Sequence, residues 1–431
     1  MKVTEVDKKG RGCGLFNGRR ACAYFTAPGE EIEGTLVSRK QGDLIFRLDA
    51  VKVPSPHRVA APCPDAGKCG GCLWQQFAYA FQVELKRGLL ERSLDSAGLA
   101  GRLEELIPCP EQFHFRNRMD YCVGPRGEVG LKEPGRWNSH LDVRGCLLLS
   151  PGAVEALEVF RAWMKKNGVA PWDNRNYTGY ARYFVIREGK NTGERMIIIV
   201  TAEGELPAKE ELLAGLAPLA TTVYHGINPT VTDLSIVSRL ELLRGEPRLR
   251  EKAGGLTYLI PPNSFFKTNT RMAERLLAEV KALLAPRRSR VLLDLYCGVG
   301  FFGLGLASEA DRVVGVEIDE AAVETARKNA ELNSITNAEF TAAKAESLVW
   351  DDERPDTVIV DPPRSGLHPK VLETLLARRP ERLVYISCNH ESFARDWREL
   401  GAVYDVTALK GLDLFPHSPH VELLARLELK K

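Results

Sequence analysis

At 431 residues the chain is too long for one ordinary domain, so two or three are expected. Its 44% apolar content can fill sizeable cores, while a formal net charge of +2 does not by itself announce a polyanionic partner. The N-terminal MKVTEVDKKGRG lacks the apolar core of a secretory signal, and the longest apolar runs, such as MIIIV at 196–200, are strand-sized, so a soluble cytoplasmic protein with no membrane span is expected. In that setting ten cysteines point to metal or catalytic thiols rather than disulfides. Basic residues cluster at Lys8, Lys9 and Arg11, at Arg19 and Arg20, at Arg116 and Arg118, and at Arg287, Arg288 and Arg290. Each cluster taken singly reads as a solvated face.

Residues 1–55 carry short β-rich runs, KVTEV, RACAYFTA, EEIEGTLVSRK and DLIFRLDAVKV, broken by glycine-containing turns. That density predicts a small β-barrel. The Pro-rich VPSPHRVAAPCP at 53–64 marks a boundary. A second region, 56–260, opens on Cys63, Cys69 and Cys72, spaced C-x5-C-x2-C. Tetrahedral zinc and an iron–sulfur cluster both need a fourth thiolate, for which Cys109, Cys122 and Cys146 are candidates; spacing leaves both the metal and the fourth ligand open. Apolar residues near the helical period predict a helix over about 75–97, and RYFVIREG and ERMIIIVTA read as strands.

From 261 onward strands and helices alternate. VLLDLY, RVVGVEID, AEFTAA, DTVIVD and RLVYISC are five predicted strands, followed by two more in VYDVTALKGLDL and HVELLARLEL. Five βα units and a terminal pair of strands predict a doubly wound α/β sheet. Gly298, Gly300 and Gly303 form G-x-G-x-x-G directly after the first of these strands, and Glu317 ends the second. Both features serve an adenosine-containing cofactor. Asp294 before the loop would oppose a pyrophosphate but suits the cationic S-adenosylmethionine.

Ligands of such sheets sit outside the carboxyl ends of the strands. Asp361 ends the fourth strand, Cys388 ends the fifth, and Glu422 starts the last; if that strand is antiparallel, all lie at one edge with the glycine loop. A lone cysteine is more often a packed small hydrophobe, but one at a strand end facing Asp-Pro-Pro is a candidate nucleophile. Cys13, Cys22 and Cys297 read as packed thiols.

The strings NSFFKTN (263–269), DLYCGVG (294–300), VVGVE (313–317), DPPRSG (361–366), YISCN (385–389) and DLFPHSPHVE (413–422) resemble the RNA uracil-5 methyltransferases, in family order. The resemblance implies that Cys388 adds to carbon 6 of a uracil, that carbon 5 then takes a methyl group, and that Glu422 removes the carbon 5 proton. It implies cofactor contacts from Lys267, Tyr296, Gly298, Phe301, Glu317 and Asp361. Relatives usually carry Gln at the position of Lys267 and Asn or Thr at that of Phe301; Lys267 is expected to pair with the cofactor carboxylate. Lys344 stands where relatives have a polar cofactor contact, and that contact is not carried over. Upstream, GRGCG, NGRRACAYF and APGEEIEG resemble a TRAM domain, an oligonucleotide-binding-type barrel that stacks bases on aromatic side chains. Phe16, Tyr24 and Phe25 are available, although barrel core explains two of the three equally well. RGCLLLSP implies Cys146 as fourth ligand of a [4Fe–4S] cluster, and Cys109 and Cys122 then read as packed thiols.

The expectation is therefore an α/β chain with three parts: a TRAM/OB-like RNA-binding barrel over 1–55, a central α+β iron–sulfur and RNA-recognition domain over 56–260, and a class I (Rossmann-like) methyltransferase domain over 261–431. It would act as a monomer on structured RNA with S-adenosylmethionine. Barrel plus cluster point to 23S rRNA, since typical bacterial tRNA enzymes of the family lack both; tRNA is the alternative, because archaeal tRNA relatives retain a cluster. A catalytically idle RNA-binding or ribosome-assembly protein is the alternative from another class, and intact DPPR and SCN argue against it. A radical enzyme would show C-x3-C-x2-C, and a cytosine-5 methyltransferase Pro-Cys; neither is present.

Overall fold

The computed structural model describes residues 1–347 and 354–431. The N-terminal sheet contains β1 (Glu5–Val6), β2 (Gly12–Phe16), β3 (Arg19–Ala23), β4 (Glu31–Lys40) and β5 (Asp43–Val53), in the order β1-β2-β3-β5-β4. Its two ends meet: Lys2 pairs with Glu31, and the Val3 N–H donates to the Glu30 carbonyl at 2.8 Å, so the sheet closes into a barrel. Asn17 and Gly18, both with positive φ, make the two-residue hairpin between β2 and β3. Close crossing of the first strand requires Gly14, where an added Cβ would lie 2.0 Å from the Lys2 carbonyl oxygen. Phe25 is buried and Tyr24 half-buried, whereas Phe16 is exposed and meets Phe46 edge-on.

The reading of Cys13 and Cys22 as packed thiols is corrected. They face each other across β2 and β3 and form a disulfide, with Cα atoms 4.1 Å apart. Cross-strand register brings the two Cβ atoms within bonding reach, and register is not written in spacing.

The second sheet comprises β7 (Arg118–Val123), β8 (Val129–Gly130), β9 (Ala181–Glu188), β10 (Arg195–Thr201), β11 (Thr222–Ile227) and β12 (Arg239–Arg244), in the order β12-β11-β10-β9-β7-β8. Strands β9 and β10 are buried on both faces, which explains their near-continuous apolar sequence. Phe184, Ile186, Ile197 and Ile199 pack under α2 (Pro151–Lys166), through Phe160 and Leu157. The alternate residues Val185, Met196 and Ile198 turn to the C-terminal core. Ser150 caps α2, its Oγ accepting the Ala153 N–H, with Pro151 opening the helix.

The third sheet has the order β17-β16-β15-β18-β19-β21-β20-β6. Its strands are β15 (Ser289–Leu295), β16 (Ala310–Glu317), β17 (Ala338–Ala342), β18 (Thr357–Val360), β19 (Arg382–Ser387), β20 (Tyr404–Leu412) and β21 (Glu422–Leu429), joined by β6 (Glu105–Ile107). Strands β15 to β19 run parallel, and β21 is antiparallel to β19. Alternating residues feed two cores. Leu292, Ile359 and Val384 pack against α4 (Thr270–Leu284) and α6 (Glu320–Leu332). Leu293, Val358 and Leu383 pack against α7 (Pro369–Arg378), α8 (His390–Leu400) and α1 (Tyr79–Asp95). Helix α1 and strand β6 thus join the C-terminal sheet although the second sheet follows them in sequence. The order reverses beside β15, the switch point at which such folds bind ligands.

Candidate active site

Beyond β15 the backbone turns through Tyr296, Gly298 and Gly300, all with positive φ, into the short helix α5 (Phe301–Gly305). Asp294 is fully buried beneath this turn; its Oδ2 accepts the Gly303 N–H at 2.7 Å, and its Oδ1 has no partner among the described residues. Burial pushes its carboxyl up to about 8, against the Gly303 hydrogen bond. Asp294 is therefore a strut of the loop, and the expectation of an open anion facing the cofactor is revised. Glu317 is half-exposed at the end of β16. Its Oε2 accepts the Gly298 N–H at 3.1 Å, and its Oε1 accepts those of Ile318 at 2.7 Å and Asp319 at 3.1 Å. A glycine turn beside an orienting carboxylate fits an adenosine-bearing ligand. Phe301, expected at the cofactor, lies in an aromatic cluster with Tyr258, Phe266 and Phe302 at centroid distances of 5.1–5.5 Å.

Antiparallel pairing of Ser387 with Leu423 sets Cys388 opposite Glu422 at the sheet edge, and Asp361 follows the paired Val360 and Tyr385. The sequence-based convergence of these three residues is thus present, and β21 has the direction it requires. Lys267 enters from the segment before α4; its Nζ donates to Asp361 Oδ1 at 2.9 Å and to Glu422 Oε1 at 2.7 Å. Burial works against the Lys267 charge, yet the two carboxylates outweigh it and raise its pKa. Burial raises the Glu422 carboxyl, with Lys267 opposing the rise. Cys388 is half-buried, and its thiol is pushed up first by burial and then by Glu422, while Lys267 pulls it down. Asn389 caps α8, and its side-chain amide donates to the Arg364 carbonyl at 2.9 Å, which ties the SCN and DPPR loops together. Phe265, two residues before Lys267, is 65% exposed and open to stacking.

The loop leading into Glu422 is held by residues the sequence reading did not single out. Asp413 accepts from Lys86 Nζ at 2.5 Å and from the Tyr79 hydroxyl at 3.0 Å. The His417 N–H donates to Gln82 Oε1 at 2.9 Å, and the His417 carbonyl accepts from the Leu73 and Trp74 N–H groups at 2.8 and 3.0 Å. Gln82 and Lys86 stand one turn apart on the apolar face of α1, both fully buried. A polar pair within an apolar helical stripe was the available signal.

Cys63, Cys69, Cys72 and Cys146 line one small enclosure. Cys109 and Cys122 lie elsewhere, their sulfurs donating to the carbonyls of Glu111 and Gly130, and Cys297 is packed in the core. Burial raises the thiols of Cys63, Cys69 and Cys72, that of Cys69 to about 12. The Gly71 N–H donates to Cys69 Sγ at 3.4 Å, and the Tyr121 hydroxyl, buried without a partner among the described residues, lies beside Cys146. Among the described residues no three of these sulfurs fall within 4.8 Å of one another. Ligand sulfurs on one tetrahedral zinc, with bonds of about 2.3 Å, would stand about 3.8 Å apart. The four sulfurs form a donor set that could hold a metal ion or cluster. A cavity of about 500 Å³ is lined by Gly70, Arg116, Lys132, Arg364, Phe415 and His420. Burial lowers the His420 imidazole to about 4 and so keeps it neutral.

The family model described as tRNA (Uracil-5-)-methyltransferase matches residues 245–430. A tRNA (uracil(54)-C(5))-methyltransferase of Pyrococcus horikoshii is 39% identical over 404 residues, 94% of each chain. An uncharacterized RNA methyltransferase of Caldanaerobacter subterraneus subsp. tengcongensis is 33% identical, over 99% of this chain and 98% of its own. The crystal structure of the Pyrococcus abyssi tRNA (uracil-54, C5)-methyltransferase in complex with S-adenosyl-L-homocysteine superimposes with a TM-score of 0.81 and 34% identity, covering 99% of both chains.

Proposed function

This chain belongs to the RNA uracil-5 methyltransferase family and is an S-adenosylmethionine-dependent enzyme, and from that premise we propose that it methylates carbon 5 of a tRNA uridine through a covalent Cys388 adduct. The observation that carries this reading is the β19–β21 register, with Cys388 opposite Glu422 beside Asp361 and the glycine turn. When bound, S-adenosylmethionine supplies the electrophilic methyl group. Cys388 attacks carbon 6 as the thiolate, which makes carbon 5 nucleophilic. After methylation Glu422 takes the carbon 5 proton, and Cys388 leaves as thiolate. Tyr296, Gly298, Glu317 and Asp361 border the cofactor in this reading. Phe301 supports the turn from behind.

Relatives matched over nearly their whole length are named for tRNA uridine 54, and this favours tRNA over the 23S rRNA expected from the barrel and cysteines. The reading keeps three functional parts. Residues 1–55 form a TRAM-like barrel for RNA, residues 56–260 the cluster and RNA-recognition region apart from α1 and β6, which belong to the C-terminal sheet, and residues 261–431 the methyltransferase region. Cys63, Cys69, Cys72 and Cys146 would hold a [4Fe–4S] cluster. Its chemistry here is structural: Leu73 and Trp74, which follow Cys72, carry the hydrogen bonds to the His417 carbonyl in the loop before Glu422.

Mass spectrometry of tRNA and rRNA from cells lacking the gene tests the proposal. Loss of 5-methyluridine from tRNA alone is expected. Unchanged 5-methyluridine in both pools would sink it, and loss from rRNA alone would return the target to the ribosome.

A further inference from the structure

Lys267 brings a cation to the catalytic edge on a fixed backbone. The residue is only 7% exposed, and its segment is pinned by Asn117, whose side chain donates to the Lys267 carbonyl at 2.8 Å and whose N–H donates to the Thr268 carbonyl at 2.8 Å. An ammonium delivered by a fixed backbone and already bonded to Asp361 and Glu422 is committed to those carboxylates. It is not free for the carboxylate of a cofactor.

Glu422 has the complementary arrangement. It is fully buried, its Oε1 is taken by Lys267, and its Oε2 has no partner among the described residues. A carboxyl buried without a cation becomes neutral, and a neutral carboxyl accepts no proton. We infer that Lys267 is a positioning residue for proton abstraction, holding Glu422 ionised through Oε1 and leaving Oε2 to receive the carbon 5 proton. The inference rests on Glu422 as the base. In the step it serves, the C5–H bond breaks and its electron pair forms the C5=C6 double bond. The Sγ–C6 bond breaks with its electrons going to the Cys388 thiolate, and the proton goes to Glu422 Oε2. Asp361 shares the ammonium, so Lys267 does not bind Glu422 so tightly that the carboxylate loses its basicity.

The test is single-turnover tritium release from a tRNA transcript carrying [5-³H]uridine, with S-adenosylmethionine, followed against pH. Release is read after the covalent methylated complex has formed, which separates this step from ionisation of Cys388. In Lys267→Gln the acid limb of release should move up by about 1 to 3 pH units, the usual effect of removing an opposite charge at contact distance. Binding of S-adenosylhomocysteine should be unchanged, and Lys267→Arg, which keeps the charge and serves should the Gln variant not fold, should retain the wild-type limb. An unmoved limb in Lys267→Gln, with or without weakened S-adenosylhomocysteine binding, overturns the inference, as does an Arg variant that folds and shifts like the Gln variant. Glu422→Gln separates the two readings. Wild-type release from that variant removes Glu422 as base, whereas blocked release together with an unmoved Lys267→Gln limb removes only the role of Lys267.

Discussion

Lys86→Met should loosen the loop that leads into Glu422 while leaving the rest of the fold in place. Lys86 and Asp413 are both fully buried, and Lys86 also donates to the Phe415 carbonyl at 2.8 Å. Removing the cation leaves a carboxylate in the interior whose hydrogen bonds among the described residues come only from Tyr79 and the Phe415 N–H. Breaking a buried pair from one side costs about 3–5 kcal/mol. If the cost falls on local opening of residues 413–421, it raises the open population by about two to three and a half orders of magnitude. Hydrogen exchange should show that acceleration at the amides of His417, Leu73 and Trp74, with β9 and β10 amides keeping their protection. Adding Asp413→Leu should recover most of the loss, because no buried charge is then left unpaired. Wild-type exchange at His417 and Leu73 in Lys86→Met would show that the Lys86–Asp413 pair does not hold this loop.

Three further outcomes follow from the same structure. Burial and Glu422 raise the Cys388 thiol, so the thiolate is a minor species at neutral pH; adduct formation with 5-fluorouridine-containing tRNA should accelerate about tenfold per pH unit between about pH 6 and 8, and a flat profile would contradict this. The Asp294 carboxyl titrates near 8 when folded, above its unfolded value, so its contribution to stability is complete below about pH 4 and is lost as pH rises through 8. Asp294→Asn keeps an acceptor for the Gly303 N–H, so the cofactor-free variant should gain on wild type between pH 4 and 8 in thermal melting; a constant difference would remove the linkage. Anaerobically prepared protein should carry about four irons per chain with broad visible absorbance, and Cys72→Ser should lose both; full iron retention in the variant would take Cys72 out of the ligand set.

Much of this architecture is legible in the sequence because its signals are local. The strands of the third sheet alternate with helices, and the glycine turn follows one of them directly, so the edge carrying Cys388, Asp361 and Glu422 can be assembled without coordinates. What is not legible depends on pairing. The Cys13–Cys22 disulfide needs the register of β2 on β3. The partners of Lys267 come from residues 94 and 155 positions away. Asp294 and Phe301 sit where the motif expects them, but burial directs one to Gly303 and the other into an aromatic cluster. Likewise, the polar pair Gln82 and Lys86 on the apolar face of α1 has meaning only against a loop more than 300 residues later.

In the proposed mechanism every step depends on Cys388 forming the bond to uracil. The direct measurement is mass spectrometry of the peptide cross-linked to 5-fluorouridine-containing tRNA in the presence of S-adenosylmethionine, where fluorine at carbon 5 blocks the proton abstraction that would release it. A single adduct is expected on the peptide containing Cys388, absent from Cys388→Ala. An adduct on another cysteine, or one that persists in Cys388→Ala, would contradict that mechanism.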